Sequence, residues 1–236
     1  MQKKLVAFLF AGILSTGIGC GSKRSASEQA KNADEKPAVA PTPPIKVEPP
    51  KPTVTRPTII SRQEWKAKPM RGEGKPNAVD CITIHHTGVA QKANFPIEKK
   101  LQNLQHFSQT ESKLASGKMK PAWLDVPYHF YIAIDGKIAE GREIKFVSDT
   151  NTEYDPTNHA TIVVEGTFDI EEPTAEQQES LLALVAWLSV KYQVPADRIK
   201  VHNEYAKTVC PGTNLKKTIP ALREKVVELT GVIEGR

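Results

Sequence analysis

Two imidazoles and a thiol are the side chains of this sequence best suited to chemistry. His202 and Cys210 stand eight positions apart, and His85 lies far upstream at the end of the strand-like run Cys81-Ile82-Thr83-Ile84. Together they make a three-ligand set for zinc. Three protein ligands keep a fourth position for water, the arrangement of a hydrolytic site; a structural zinc is closed by four. The His-to-Cys spacing alone is a weak signal, because an isolated histidine is more often a packed or solvated imidazole. Position strengthens it. His85 and His202 each directly follow a short β run, and in open α/β sheets ligands gather just beyond the carboxyl ends of strands. Cys210 precedes Pro211-Gly212, a turn able to present a thiolate. The same atoms can be read as a Cys210–His202 hydrolase pair, a reading that leaves His85 without a task.

The elements that must position these residues alternate along the chain. Cys81–Ile84 reads as a buried strand. Pro96–Ser108 has helical spacing through Ile97, Leu101, Leu104 and Phe107. Tyr128–Ile134 is aromatic and β-branched, Asp135-Gly136 is a tight-turn signal, and Lys137–Glu140 is the return strand. Thr161–Val164 is another buried strand, and Ile199–Val201 a short one. Pro173–Tyr192 is the strongest helix: Thr174 can cap it, Gln177 completes a capping box, and Leu181, Leu184, Val185 and Leu188 form an apolar stripe. Ile219–Leu229 is a C-terminal helix. The pattern predicts an α/β domain, a mixed central sheet flanked by helices.

Four stretches of this sequence resemble the zinc N-acetylmuramoyl-L-alanine amidases, the family of phage lysozyme-type amidases and animal peptidoglycan recognition proteins. They are Ile60-Ser61-Arg62-Gln63-Glu64-Trp65; Ile84-His85-His86-Thr87; Trp123 to Phe130, running on to Asp135-Gly136 and Glu140-Gly141-Arg142; and Val201-His202-Asn203-Glu204, ending at Cys210-Pro211-Gly212. The resemblance implies one Zn2+ per chain on His85, His202 and Cys210. It implies hydrolysis of the amide between N-acetylmuramic acid and L-alanine, with peptidoglycan or muropeptides as partners; the alternative it leaves open is a binding module that recognises peptidoglycan without cutting it. Tyr128 matches a tyrosine near the metal, whose phenol can donate to an oxyanion. Thr208 stands where relatives carry lysine or threonine; its hydroxyl can donate but brings no charge. His86 neighbours the first ligand, and strand alternation points it away from the same ion. Some relatives carry a glutamate base where this chain has Val163. Glu165, two residues on, shares that strand face as a candidate or is a strand-end charge. Asn158 is expected to shape its loop. His129 and His159 lack motif support as ligands, and His106, near the end of the first helix, is expected on a solvated face, with a groove-lining role as the alternative.

The rest of the 236 residues frame that domain. Residues 1–19 read as a signal: Lys3 and Lys4, an apolar run from Leu5 to Ile18 too short for a stable span, then Gly19 and Cys20. This resembles a lipoprotein cleavage box with Cys20 lipidated, although Gly17 stands where a larger aliphatic residue is usual; an ordinary secretory signal is the other reading. A lipid on Cys20 would anchor the chain to a membrane without a spanning helix. Residues 20–57 form a proline-rich linker with too few apolar residues to build a core. The zinc amidase domain is expected over residues 58–232, and 233–236 resemble a protease-recognition tail. The net charge of +5 belongs to the leader and linker: from Thr58 onward there are 23 Lys/Arg against 23 Asp/Glu. The pI therefore argues for no nucleic-acid footprint on the domain. With Cys20 lipidated and Cys210 a ligand, Cys81 has no disulfide partner and is expected to pack in its strand. The expected setting is a monomer on the periplasmic face of an outer membrane.

Overall fold

The computed structural model describes residues 53–114 and 117–231. The signal, Cys20, most of the linker and the tail at 233–236 lie outside the described residues. The elements run β1 (Ile59–Ile60), β2 (Cys81–His86), α1 (Ile97–Ser108), β3 (Ser112–Lys113), β4 (Met119–Lys120), β5 (Phe130–Ile132), β6 (Ile138–Glu140), β7 (His159–Val164), α2 (Ala175–Tyr192), β8 (Ile199–Val201), α3 (Thr213–Lys216) and α4 (Ile219–Thr230). Six strands form one mixed sheet in the order β1-β6-β5-β7-β2-β8, and β3 pairs with β4 apart from it. The β5–β6 hairpin is antiparallel; β7, β2 and β8 run parallel, as do β5 with β7 and β1 with β6. This is the α/β class that the alternation of periods predicts.

The two central strands are buried along their whole length, because helices cover both faces of the sheet. Ile82 and Ile84 of β2, with Ile162 and Val164 of β7, pack against Leu181, Leu184 and Leu188 of α2 and Val226 of α4. The opposite face is built from Val163, Tyr131, Ala139 and Trp65 with Ile97 and Leu101 of α1. Helix α2 starts where its sequence says it must. The Thr174 side chain accepts from Gln177 N–H, and the Gln177 side chain returns the bond to the Thr174 N–H, satisfying two donors that a helix start leaves open.

Some boundaries differ from the sequence pattern, and some short elements were not in it. The strand at Cys81 runs on through His85 and His86, so both histidines lie inside it. The pattern ended it early because histidine has little strand preference; the parallel pairing of His85 with Val163 and His86 with Val164 carries it two residues further. The strand expected over Tyr128–Ile134 shortens to Phe130–Ile132, because Tyr128 and His129 are engaged by Gly141 and Arg142 in the hairpin's opening. The β3–β4 ribbon and the single-turn α3 have no periodicity long enough to be read from sequence. Among the described residues no helix is long and apolar enough to cross a membrane.

His129 is a structural histidine. It is buried, its Nδ1 accepts from Thr161 N–H at 2.9 Å, and its Nε2 lies 2.8 Å from the Phe146 carbonyl, which requires Nε2–H to donate. Burial pushes its pKa from 6.5 to about 4, against the opposing pull of the Phe146 carbonyl. The unfolded chain therefore takes up this proton first. The contribution to stability is full above pH 6.5 and is lost as pH falls through 4. At about 1.4 kcal/mol per pH unit, roughly 2–3 kcal/mol disappears across that interval. Denaturant unfolding between pH 7 and pH 4 should show a slope shallower by about one proton in His129→Asn than in the parent. Identical slopes would remove His129 from the acid response.

Candidate metal centre

Register brings the two distant histidines together. Ile84 pairs with Val201 across β2 and β8, both in the α2-side core, so His85, the next residue of β2, turns to the opposite face, where His202, the first residue of the 3-10 turn after β8, meets it. Their ring centroids are 4.4 Å apart. Cys210 arrives on the turn after β8. His86 N–H donates to its Sγ at 3.3 Å, and Sγ lies 3.8 Å from His85 Nδ1. Gly212, at φ 84°, makes the turn possible: a Cβ there would collide with the backbone of Phe168 and Asp169. One ligand atom each from His85, His202 and Cys210 lie within 4.8 Å of one another. Donors around a tetrahedral zinc stand roughly 3.3–3.8 Å apart, so the three are near the spacing that one ion would need. His202 Nδ1 is buried and has no hydrogen-bond partner. An orphaned imidazole nitrogen beside a thiol and a second imidazole fits a soft divalent cation.

Burial favours the uncharged forms of all three side chains. Burial first, then His202, His159 and His86, holds the His85 pKa well below its ordinary value. His202 falls to about 4, through burial and then His86. Burial pushes the Cys210 thiol up to about 12, further raised by Asp169 and opposed by the His86 N–H. Neutral imidazoles are ready ligands, while the thiol must lose its proton to a metal. A thiol pushed upward is the opposite of what a nucleophilic cysteine requires, which weighs against the Cys210–His202 hydrolase pair.

The other expected residues take distinct places. His86 turns to the far face, where its Nδ1 accepts from Phe168 N–H at 3.3 Å. Tyr128 stands 5.2 Å from His85, ring to ring, and burial and then Cys210 hold its phenol above the usual range, so it remains a donor. Gly141 and Arg142 fix it: their N–H groups donate to the carbonyls of His129 and Tyr128, and a Cβ on Gly141 would clash with the Tyr128 carbonyl. Thr208 does not line the cleft; its hydroxyl accepts from Cys210 N–H at 3.2 Å and braces the ligand's turn. Val163 pairs with His85 in register. Glu165 does not line the cleft at these three residues: it is buried, ion-paired with Lys100 at 2.7 Å, and accepts from the backbone of Lys92 and Ile134. Asn158, at φ 68°, receives the Asp80 and Cys81 N–H groups and shapes its loop as expected. Cys81 is a buried packing residue, His159 Nδ1 is 2.6 Å from the Thr83 hydroxyl, and His106 is exposed.

The cleft at the three ligands holds about 190 Å³ and is also lined by Trp123, Tyr128, Asp149 and Asn151. It shares Thr87, Trp123, Tyr128 and Asn151 with a groove of about 430 Å³, walled by Phe95, Leu104 and Phe107 of α1 and its approach. The sequence reading missed the loop at Asp149–Tyr154. Asp149 is the single carboxylate lining the cleft among the described residues and is ion-paired with the buried Arg142. Thr152 and Tyr154 reach the histidines themselves: Thr152 Oγ1 is 2.7 Å from His202 Nε2, and Tyr154 Oη is 3.3 Å from His85 Nε2. The available signal was the alternation of polar Asn151, Glu153 and Asp155 with Thr152 and Tyr154.

A family model described as N-acetylmuramoyl-L-alanine amidase matches residues 75–213, a span that contains all three ligands. The endolysin of Escherichia phage T7 is 35% identical over 103 residues, which cover 40% of this chain and 64% of the endolysin, short of two thirds of its length. Peptidoglycan-recognition protein SD of Drosophila simulans is 26% identical over 163 residues, 66% of this chain and 81% of that protein. Among solved structures, the N-acetylmuramoyl-L-alanine amidase LysC from Clostridium intestinale URNW aligns with a TM-score of 0.56 at 25% identity, covering 72% of this chain and 97% of LysC.

Proposed function

The chain belongs to the N-acetylmuramoyl-L-alanine amidase family, and from that premise we propose that it is a zinc-dependent hydrolase of the amide between N-acetylmuramic acid and L-alanine in peptidoglycan. The observation that carries this reading is the convergence of His85, His202 and Cys210, with ligand atoms within 4.8 Å, at the end of an aromatic groove. A family member that only bound peptidoglycan would have no need to keep all three donors together. Zinc on these residues supplies a Lewis acid and lowers the pKa of water towards 7. The groove binds the glycopeptide, with Phe95, Phe107 and Trp123 offering apolar faces to sugar and stem. Tyr128, where groove and cleft meet, donates its phenol hydrogen to the oxygen that gains charge as the amide carbonyl is attacked. Thr208 keeps Cys210 in place from outside the cleft. Water adds across the C–N bond, giving a lactyl carboxylate and a free alanine amine.

Mass analysis of products from purified peptidoglycan, with and without a chelator, tests bond and metal together. The expected products are stem peptides with a free N-terminal alanine, absent when chelator is present and restored by zinc. Binding of stem peptide by a zinc-free protein that releases nothing would establish the recognition module in its place.

A further inference from the structure

We propose that Thr152 and Tyr154 are positioning residues that fix the tautomers of both metal-site histidines, from one loop and at one time. The inference rests on the zinc reading above and deepens it. His202 has its Nδ1 buried without a partner and its Nε2 2.7 Å from the Thr152 hydroxyl. A proton on Nδ1 would be a buried donor with nothing to bond, which costs about 1–3 kcal/mol. The proton therefore sits on Nε2 and is donated to Thr152 Oγ1. Thr152 can accept it because its own hydroxyl hydrogen has another destination, Thr150 Oγ1 at 2.8 Å, which also accepts Thr152 N–H at 3.1 Å.

His85 repeats the arrangement. Its Nδ1 faces the Cys210 Sγ at 3.8 Å and accepts the thiol hydrogen there, so its own proton sits on Nε2, 3.3 Å from Tyr154 Oη, which accepts it. Tyr154 is held by stacking on Tyr205, centroids 5.6 Å apart and rings inclined by 16°. Asn151, Glu153 and Asp155 are exposed while Thr152 and Tyr154 are half-buried, so a spacing of two places both hydroxyls on the inward side of the loop. The His85 Nδ1 lone pair thereby faces the Cys210 sulphur, the His202 Nδ1 lone pair is left free, and turning either ring over loses its hydroxyl partner. Outer partners of this kind orient ligands and raise their basicity.

The test has two readouts on the purified full chain. Long-range 1H–15N correlation spectra of the metal-free protein report the tautomers of His85 and His202; competition with a chromophoric chelator reports zinc affinity. The parent should show both rings protonated at Nε2. Thr152→Val and Tyr154→Phe should each erase that preference at their own histidine and weaken zinc binding by about 10–100-fold, while Thr152→Ser restores both. Parent spectra with protons on Nδ1 overturn the inference. So does unchanged zinc affinity in both variants, or an affinity loss that follows a lowered metal-free Tm and is not rescued by serine. If the parent binds no zinc, the metal reading fails by itself, and the tautomer spectra still decide the role of the two hydroxyls.

Discussion

Cys210→Ser should reduce amide hydrolysis by at least about 10³-fold, with the fold unchanged. Serine keeps the shape of the turn, and its oxygen can still accept from the His86 N–H that now meets Sγ at 3.3 Å. Gly212 and the braced Thr208 remain. What is lost is the soft anionic donor, because a serine hydroxyl does not ionise at neutral pH and binds zinc poorly. The consequence is visible without any substrate. A ligand present at 1,000 times its Kd stabilises a protein by about 4 kcal/mol, so zinc should raise the Tm of the parent by several degrees and leave that of Cys210→Ser where it was. His85→Ala should behave in the same way. Wild-type muropeptide release by either variant, or an equal thermal response to zinc, removes these residues from the site.

Tyr128→Phe should lower kcat by about 10²–10³-fold while KM and zinc content stay close to the parent values. The change removes one oxygen from a side chain whose ring is already fixed. Arg142 bonds the Val126 and Asp125 carbonyls, its N–H holds the Tyr128 carbonyl, and Gly141 admits the close approach. Phenylalanine inherits all of that packing. Only the donor is missing, and a donor that acts on charge developed during reaction affects the rate and not the binding of the ground state. A fall in affinity with kcat intact would make Tyr128 a groove residue. Full activity would assign the oxyanion to other donors.

Much of this molecule was legible from its residues. The stripe on α2 and its Thr174–Gln177 capping box gave that helix its start and its buried face, because helix period and cap chemistry are local. His85, His202 and Cys210 were found by residue type and by their place beside β runs. The same reading could not settle Glu165. Strand alternation put it on the same face of β7 as Val163, but its partner Lys100 comes from α1, 65 residues earlier, and only packing of that helix on the sheet reveals the ion pair. Thr152 and Tyr154 went unread for a related reason: a short polar alternation does not say what its inward side meets, and their partners are 50 and 69 residues away.

By itself, then, the sequence determined the longer helices and strands, the faces they bury and three side chains with donor chemistry suited to a metal, since these depend on period, capping and residue type along a short stretch of chain. The tertiary structure alone decided that β2 and β8 pair with Ile84 opposite Val201, and so that His85 meets His202. It also decided which oxygens stand behind the two imidazoles. Register and loop closure are set by the summed packing of both sheet faces, and no local pattern contains that sum.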